Sequence, residues 1–202
     1  MKRLDCLERL AHLAAEEVIT VTSLSANAGI WNSLRSQGAN FIGCNMGLCV
    51  PMALGLSLAR PERKVIALDS DGSFMLDPSS LFTVADAAPA NLLILVFDNE
   101  HYRGMSSTAT SRGADLEKVA RGAGIDKTAT VRDLEEFTRV VKSALRQPGP
   151  AFYVLKIEQD RTGGRGEPYA HGRAMKEQFI DRLGSPRGGR QATHVESLGD
   201  SS

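Results

Sequence analysis

Val65-Ile66-Ala67-Leu68-Asp69-Ser70-Asp71-Gly72-Ser73 is the stretch that decides the fold. Its apolar start, with two β-branched residues, reads as a strand, and the acid-Gly-Ser that follows reads as the turn at the strand's carboxyl end. A second run, Leu92-Leu93-Ile94-Leu95-Val96-Phe97-Asp98-Asn99, repeats the pattern and ends in an amide. It is apolar without alternation, as a strand buried on both faces is. Open α/β sheets bind ligands outside the carboxyl ends of their strands. An acid at one such end and an amide at the other, Asp71 and Asn99, offer oxygen ligands suited to Mg²⁺ holding a diphosphate.

Outward from these two strands, helix and strand patterns alternate. Leu4, Leu7, Leu10, Ala11, Leu13 and Ala14 recur at helical spacing, and Val18-Ile19-Thr20-Val21 predicts a short strand. Thr22 to Gly29 reads as a polar loop. Met46 to Ala59 is small and apolar nearly all round, which predicts a buried helix stopped by Arg60-Pro61. Asp77-Pro78 predicts the start of a helix over roughly 78–88. Residues 98–113 form a loop rich in Ser, Thr and Gly, then a helix over 114–123 and a strand near 126–130. Asp133 opens a helix that Pro148-Gly149-Pro150 stops, Ala151 to Ile157 is a last strand, and 173–183 can form a final helix.

Strands separated by helices imply an α/β fold, a doubly wound and mostly parallel sheet with helices on both faces and right-handed crossovers. One domain is expected over 1–183, with 184–202 a flexible tail rich in Gly and Arg.

Composition narrows the function. At 42% hydrophobic and 24% charged residues the chain is ordinary for a soluble globular protein. A net charge of zero gives no argument for nucleic acid or an anionic membrane. The three cysteines, Cys6, Cys44 and Cys49, are odd in number and form no C-x-x-C, so they read as reduced thiols. The amino-terminal residues carry charges throughout, unlike a signal peptide, and no apolar run reaches membrane-spanning length; a cytoplasmic location is expected.

Three readings of the Asp71 segment compete. The first is a strand followed by an acidic turn, with Asp and Gly present only for geometry. In the second, Asp69-Ser70-Asp71-Gly72-Ser73-Phe74 resembles the first motif of the haloacid-dehalogenase phosphatases, with Asp69 as nucleophile and Asp71 as general acid. That family also needs a Ser or Thr ending a later strand, a Lys and an acidic pair, whereas strand 92–97 ends in Asp98-Asn99 and no acidic pair follows. In the third, Asp71-Gly72-Ser73 with Asn99 28 positions on resembles the thiamine-diphosphate motif, Gly-Asp-Gly followed by Asn-Asn. Ser70 stands for the first Gly and Asp98 for the first Asn.

The third resemblance extends over roughly residues 15 to 183. It includes Gly43-Cys44-Asn45-Met46-Gly47-Leu48, Asp98-Asn99-x-x-Tyr102, Ala123-Gly124-Ile125, Gly149-Pro150-Ala151-Phe152 and Tyr169-Ala170-His171-Gly172-Arg173. The chain is similar to the diphosphate-binding domain of thiamine-diphosphate-dependent 2-oxoacid decarboxylases, nearest to the sulfopyruvate decarboxylase β-subunit and phosphonopyruvate decarboxylases. The loop after Tyr102 departs from many relatives by lacking Gly-Gly-Gln.

The resemblance implies thiamine diphosphate and Mg²⁺ as cofactors. Asp71, Asn99 and the His101 carbonyl would bind the metal, with Gly72 and Ser73 on the diphosphate. Met46 would prop the two cofactor rings into a V, and the Cys44 carbonyl would receive the aminopyrimidine. Tyr102 belongs to the cofactor set; Ser23, Ser25 and Asn27, in the first loop after a strand, are placed either to touch the diphosphate or to serve a simple turn.

A 2-oxoacid such as 3-sulfopyruvate or 3-phosphonopyruvate would lose CO₂ and leave as an aldehyde. Carboligation, phosphatase action and an inactive cofactor-binding scaffold remain as alternatives. The residues before Met46 are too few for a pyrimidine-binding domain, so a separate α-subunit is expected to bring the activating Glu in a hetero-oligomer. Glu16 and Glu17 read as a solvated face of the first helix. Ferredoxin-oxidoreductase β-subunits share the motif but need cysteine ligands for a cluster, which three scattered cysteines do not supply.

The His101 side chain is a candidate to face substrate, as is His171, while His12 and His194 read as bland. Arg103, Arg161, Arg165 and Arg173 are candidates for an anionic substrate group, because guanidinium forks suit sulfonate and phosphonate.

Overall fold

The central strands form because their residues are apolar on both faces and can be covered from both sides. Val65, Ile66, Ala67 and Leu68, and every residue from Leu92 to Phe97, are fully buried. A computed structural model describes residues 1–102, 105–159 and 168–184. Six parallel strands make the main sheet: β1 (Ile19–Ser23), β2 (Ala39–Cys44), β3 (Val65–Ser70), β4 (Leu92–Asp98), β7 (Lys127–Val131) and β8 (Ala151–Lys156). Their order is β2-β1-β3-β4-β8-β7. Two further strands, β5 (His101–Tyr102) and β6 (Ser106–Ser107), form a separate antiparallel hairpin above the carboxyl end of β4.

Helices cover both faces. On one side α1 (Arg3–Leu13), α2 (Ala26–Leu34) and α7 (Leu134–Arg146) pack through Leu7, Leu10, Trp31, Phe137 and Val141 against Ile66, Leu68, Leu93 and Leu95. On the other, α3 (Cys49–Ala59), α5 (Ser80–Ala87), α6 (Leu116–Gly122) and α8 (Gly172–Leu183) pack through Val50, Ala53, Leu81, Ala120 and Phe179 against Val65, Ala67, Ile94 and Val96. Alternate residues of β3 and β4 thus serve opposite cores, which makes a doubly wound sheet.

The strand order reverses between β1 and β3: the chain leaves β1 for β2 on one side and then crosses back to β3 on the other. Ligands bind at such a switch point, outside the carboxyl ends. The ends of β1, β3 and β4 carry Ser23, Asp71 and Asn99 there.

Several boundaries differ from the sequence reading. The expected loop at 22–29 is the end of β1 followed by α2, because Ser25 caps that helix by accepting from the Asn27 N–H at 3.2 Å. The helix expected from Met46 starts at Cys49, since Gly47 at φ +83° turns the chain first. The helix expected from 78 begins at Ser80, with Ser80 Oγ donating to the Asp77 carbonyl at 2.9 Å. Glu16 and Glu17 are solvated, but in a turn after α1 ends at Leu13. Strand β2 had no clear periodicity to reveal it. Arg103, Arg161, Arg165, His194 and the tail 185–202 lie outside the described residues.

Candidate functional site

Pairing of β3 with β4 sets Ser70 opposite Phe97, so the next residues, Asp71 and Asp98, come side by side. Ser70 is extended at φ −120°, a conformation open to any residue, so serine costs nothing where the motif has glycine. Asp71 then opens a single helical turn, α4 (Asp71–Phe74), with no side-chain cap. The first-turn N–H groups lack partners within their own helix. Gly72 allows Tyr102 to approach closely: a Cβ at Gly72 would lie 2.3 Å from Tyr102 Cε1.

Asp71 is buried, and its Oδ2 accepts from Thr108 Oγ1 at 2.7 Å. Asp98 is equally buried, its Oδ1 accepting from Thr110 Oγ1 at 2.8 Å and from the Glu100 N–H at 3.0 Å. Thr108 and Thr110 meet at 2.8 Å. Burial above all, with the Asp98 charge beside it, pushes the Asp71 carboxyl up to about 6.

Lys156, opposite Asp98 in the β4–β8 pairing, contacts Asp98 Oδ2 at 2.7 Å and Glu100 Oε1 at 2.8 Å. Glu100 sits in the left-handed region at φ +62°. Its turn sends the chain up into the β5–β6 hairpin and back, where the Thr108 N–H reaches the Glu100 carbonyl at 3.0 Å. Asn99 Oδ1 accepts from the His101 N–H at 3.3 Å within this turn. The His101 ring contacts the Ser106 carbonyl through Nδ1, so it is held by the hairpin.

Asp69 points inward. Its Oδ1 accepts the Ser70 N–H at 2.8 Å, while Oδ2 is buried without a hydrogen-bond partner. Burial pushes its carboxyl up to about 6; the Ser73 and Ser23 hydroxyls lie close enough to moderate this without bonding Oδ2. Oδ1 is engaged by the Ser70 N–H and Oδ2 is fully enclosed, so neither oxygen of Asp69 is open to an incoming phosphate ester, as the nucleophile of the phosphatase reading must be.

The other wall comes from β2 and the turn before α3. Gly43, at φ +74°, forms a bulge where the register with β1 slips, and its N–H donates to Thr22 Oγ1 at 2.9 Å. The Tyr169 ring covers it: a Cβ there would lie 2.8 Å from Tyr169 Cε2. The Cys44 carbonyl accepts from the Leu24 N–H at 2.7 Å and keeps its second lone pair. The Gly47 N–H donates to Ser73 Oγ at 3.2 Å, which ties the Met46 turn to the Asp71 turn. Met46 is 40% exposed at the rim, so it is not core filling. Burial above all raises the Cys44 thiol to about 11 and puts Cys49 well above its ordinary value, so neither is a nucleophile.

The structure therefore brings together Asp71, Gly72, Ser73, Asn99, His101 and Tyr102, with Cys44 and Met46 on the facing wall. Ser25 is occupied as a helix cap, and Ser23 Oγ donates to it at 3.3 Å. Asn27 Nδ2 is spent on the Asp69 carbonyl at 3.0 Å. Arg173 is outward, paired with Glu177 at 2.7 Å, and His171 stacks on Tyr169 with ring centroids 4.5 Å apart. Thr108, Thr110 and Lys156 were not foreseen. The available signal was a lysine closing an otherwise apolar strand, since a buried strand end with a cation implies a buried acid beside it.

Residues 23–155 match the family described as thiamine pyrophosphate enzyme, C-terminal TPP binding domain, and the chain belongs to that family. It is 33% identical over 150 residues to sulfopyruvate decarboxylase subunit beta of Methanocaldococcus jannaschii, covering 72% of this chain and 78% of that one. It is 30% identical over 200 residues to phosphonopyruvate decarboxylase of Streptomyces viridochromogenes, covering 98% of this chain and 50% of that one. It therefore spans only half the length of this second relative. Benzoylformate decarboxylase from Polynucleobacter necessarius shares the fold, with a TM-score of 0.67 at 19% identity over 79% of this chain and 34% of that one.

Proposed function

We propose that this chain is the Mg²⁺ and diphosphate-binding subunit of a thiamine-diphosphate-dependent decarboxylase acting on a small anionic 2-oxoacid. The observation that carries the reading is the pair of adjoining strand ends, where Asp71 lies buried with no cation partner among the described residues and Asn99 stands one residue beyond Asp98. The donor set fits the metal. Mg²⁺ takes oxygen ligands, usually one or two carboxylates together with phosphate oxygens, and not an all-protein cage. Among the described residues no group of three or more His, Cys, Asp or Glu forms such a cage.

When bound, thiamine diphosphate supplies the electron sink that lets a 2-oxoacid lose CO₂. Asp71, Asn99 and the His101 carbonyl would hold the ion. The first-turn N–H groups of Gly72 and Ser73 face the diphosphate, where backbone donors and the helix end favour negative charge. Ser23 and Ser25 border the diphosphate from the end of β1. Tyr102 covers Gly72 and keeps water from that side. Met46 would support the bend between the cofactor rings, and the second lone pair of the Cys44 carbonyl would be open to the aminopyrimidine.

A partner chain would bring the activating glutamate. The rim of the site suits a cover: Leu24, Met46, Leu48 and Leu76 are 51%, 40%, 50% and 60% exposed around the switch point. The names of the M. jannaschii and Methanothermobacter thermautotrophicus relatives, each a subunit beta, support an assembly of this type. The names of the relatives, sulfopyruvate and phosphonopyruvate decarboxylase, support a small anionic 2-oxoacid as the substrate class.

The test is co-expression with a pyrimidine-domain partner, followed by a thiamine-diphosphate-dependent CO₂-release assay on sulfopyruvate, phosphonopyruvate and pyruvate. Release from one of the two anionic substrates, faster than from pyruvate, is expected. Full activity of this chain alone would contradict the partner, and cofactor binding without turnover of any substrate would contradict the enzyme.

A further inference from the structure

The metal ligands of the proposed site hang on groups that the reading above does not use. Asp71 ends one strand and Asn99 lies in the loop after another, and nothing in the strand pairing fixes how far apart their oxygens sit. One chain of side chains crosses between them. Thr108 holds Asp71 Oδ2 at 2.7 Å and touches Thr110 at 2.8 Å; Thr110 holds Asp98 Oδ1 at 2.8 Å; Lys156 holds Asp98 Oδ2 at 2.7 Å. Thr108, Thr110 and Asp98 are each no more than 5% exposed, so water does not compete for these bonds.

Lys156 also grips Glu100 at 2.8 Å, and Glu100 is the left-handed residue between Asn99 and His101. A non-glycine residue in that conformation costs about 1 kcal/mol and persists only where surroundings hold it. The lysine thereby fixes the turn that carries two of the three proposed ligands, while its far connection through the threonines fixes the third.

We infer that Thr108, Thr110, Asp98 and Lys156 form a positioning relay that holds the Asp71 carboxylate and the Asn99–His101 turn at one spacing for a divalent cation. The inference rests on the proposed cofactor site. Thr108 occupies Oδ2 and directs Oδ1 to the ion. Lys156 neutralises Asp98, the extra carboxylate at this strand end. Groups that orient metal ligands in this way change metal affinity by about 10- to 100-fold when removed.

The test is the binding of Mn²⁺, a paramagnetic stand-in for Mg²⁺, to the full chain with thiamine diphosphate, alone or reconstituted with its partner, read by the loss of the free-ion resonance. Thr108→Val, which keeps shape and deletes the hydroxyl, should raise the half-saturating Mn²⁺ concentration by about 10-fold or more. Thr108→Ser, which keeps the hydroxyl, should stay within about 3-fold of the parent, a rescue that a packing role of the threonine methyl would not give. If Thr108→Val fails to fold, Lys156→Met paired with Asp98→Asn removes the other end without a lone buried charge and should weaken Mn²⁺ binding in the same direction. Parent-like binding by Thr108→Val, or by the paired variant where it is used, overturns the relay. Parent-like binding by Asp71→Ala overturns the site itself, and the relay with it.

Discussion

The carboxyl ends of β3 and β4 bury the same kind of group and compensate it differently. At the end of β4, Asp98 has a lysine at 2.7 Å, a backbone N–H and a hydroxyl. At the end of β3, Asp69 and Asp71 are as deeply buried, and among the described residues neither has a cation. Taking a carboxylate out of water costs several kcal/mol unless an opposite charge repays it. One strand end is electrostatically complete within the fold, and on the proposed reading the other is completed by a cation from outside. The proposed function takes this difference to separate a structural acid, Asp98, from a candidate ligand, Asp71, although both follow apolar strands that look alike in sequence.

The largest test of the contrast is Asp71→Ala. It should abolish Mg²⁺-dependent thiamine-diphosphate binding, by at least about 100-fold in calorimetric affinity, and leave the circular dichroism spectrum unchanged. The opposite behaviour is expected at β4. Lys156→Met strands a buried charge on Asp98 and should cost about 2 kcal/mol or more in urea unfolding, with much of the loss restored by adding Asp98→Asn. Equal stability losses for Asp71→Ala and Lys156→Met would erase the difference between the two ends.

The pH dependence follows with its sign. Burial raises the Asp71 carboxyl above its unfolded value, so without metal the folded chain prefers the protonated form. That contribution is complete below the unfolded value near 3.8 and is lost as pH rises through the raised one. Mg²⁺ needs the ionised form. Cofactor affinity should therefore fall as pH drops through about 6, and Asp71→Asn should flatten the stability profile of the metal-free chain.

The smallest effect belongs to Asp69→Asn. Its carboxyl also sits near 6, so the substitution removes a charge that burial disfavours at neutral pH. The metal-free chain should become slightly more stable at pH 7, with cofactor affinity within about 3-fold of the parent. A loss there as large as for Asp71→Ala would move the metal ligand from Asp71 to Asp69.

Much of this was legible in the sequence, for identifiable reasons. β3 and β4 are unbroken apolar runs, and runs of that kind admit few alternatives to a buried parallel strand. The candidate site residues Asp71 and Asn99 follow directly from where those runs stop. Helix α7 was placed within a residue because Asp133 is a true cap, accepting from the Glu136 N–H at 2.8 Å. By contrast, α2 and β2 were invisible: the cap Ser25 and the polar Asn27 and Asn40 look like loop residues until their partners are known. Asn40 Oδ1 accepts from Thr20 Oγ1 at 2.6 Å and from the Trp31 indole at 3.2 Å, a buried network built from residues far apart in the chain. The Thr108–Thr110–Asp98–Lys156 chain was hidden for the same reason. Its members come from three segments, and only folding shows that they meet.

The most direct measurement is a calorimetric titration of thiamine diphosphate into the full chain, alone or with its partner, in Mg²⁺ and again in excess EDTA, for the parent and Asp71→Ala. Binding by the parent in Mg²⁺, its loss in EDTA, and no binding by Asp71→Ala in either condition are the results predicted. Equal binding in EDTA, or parent-like binding by Asp71→Ala, would contradict the claim that the end of β3 is completed by a metal ion.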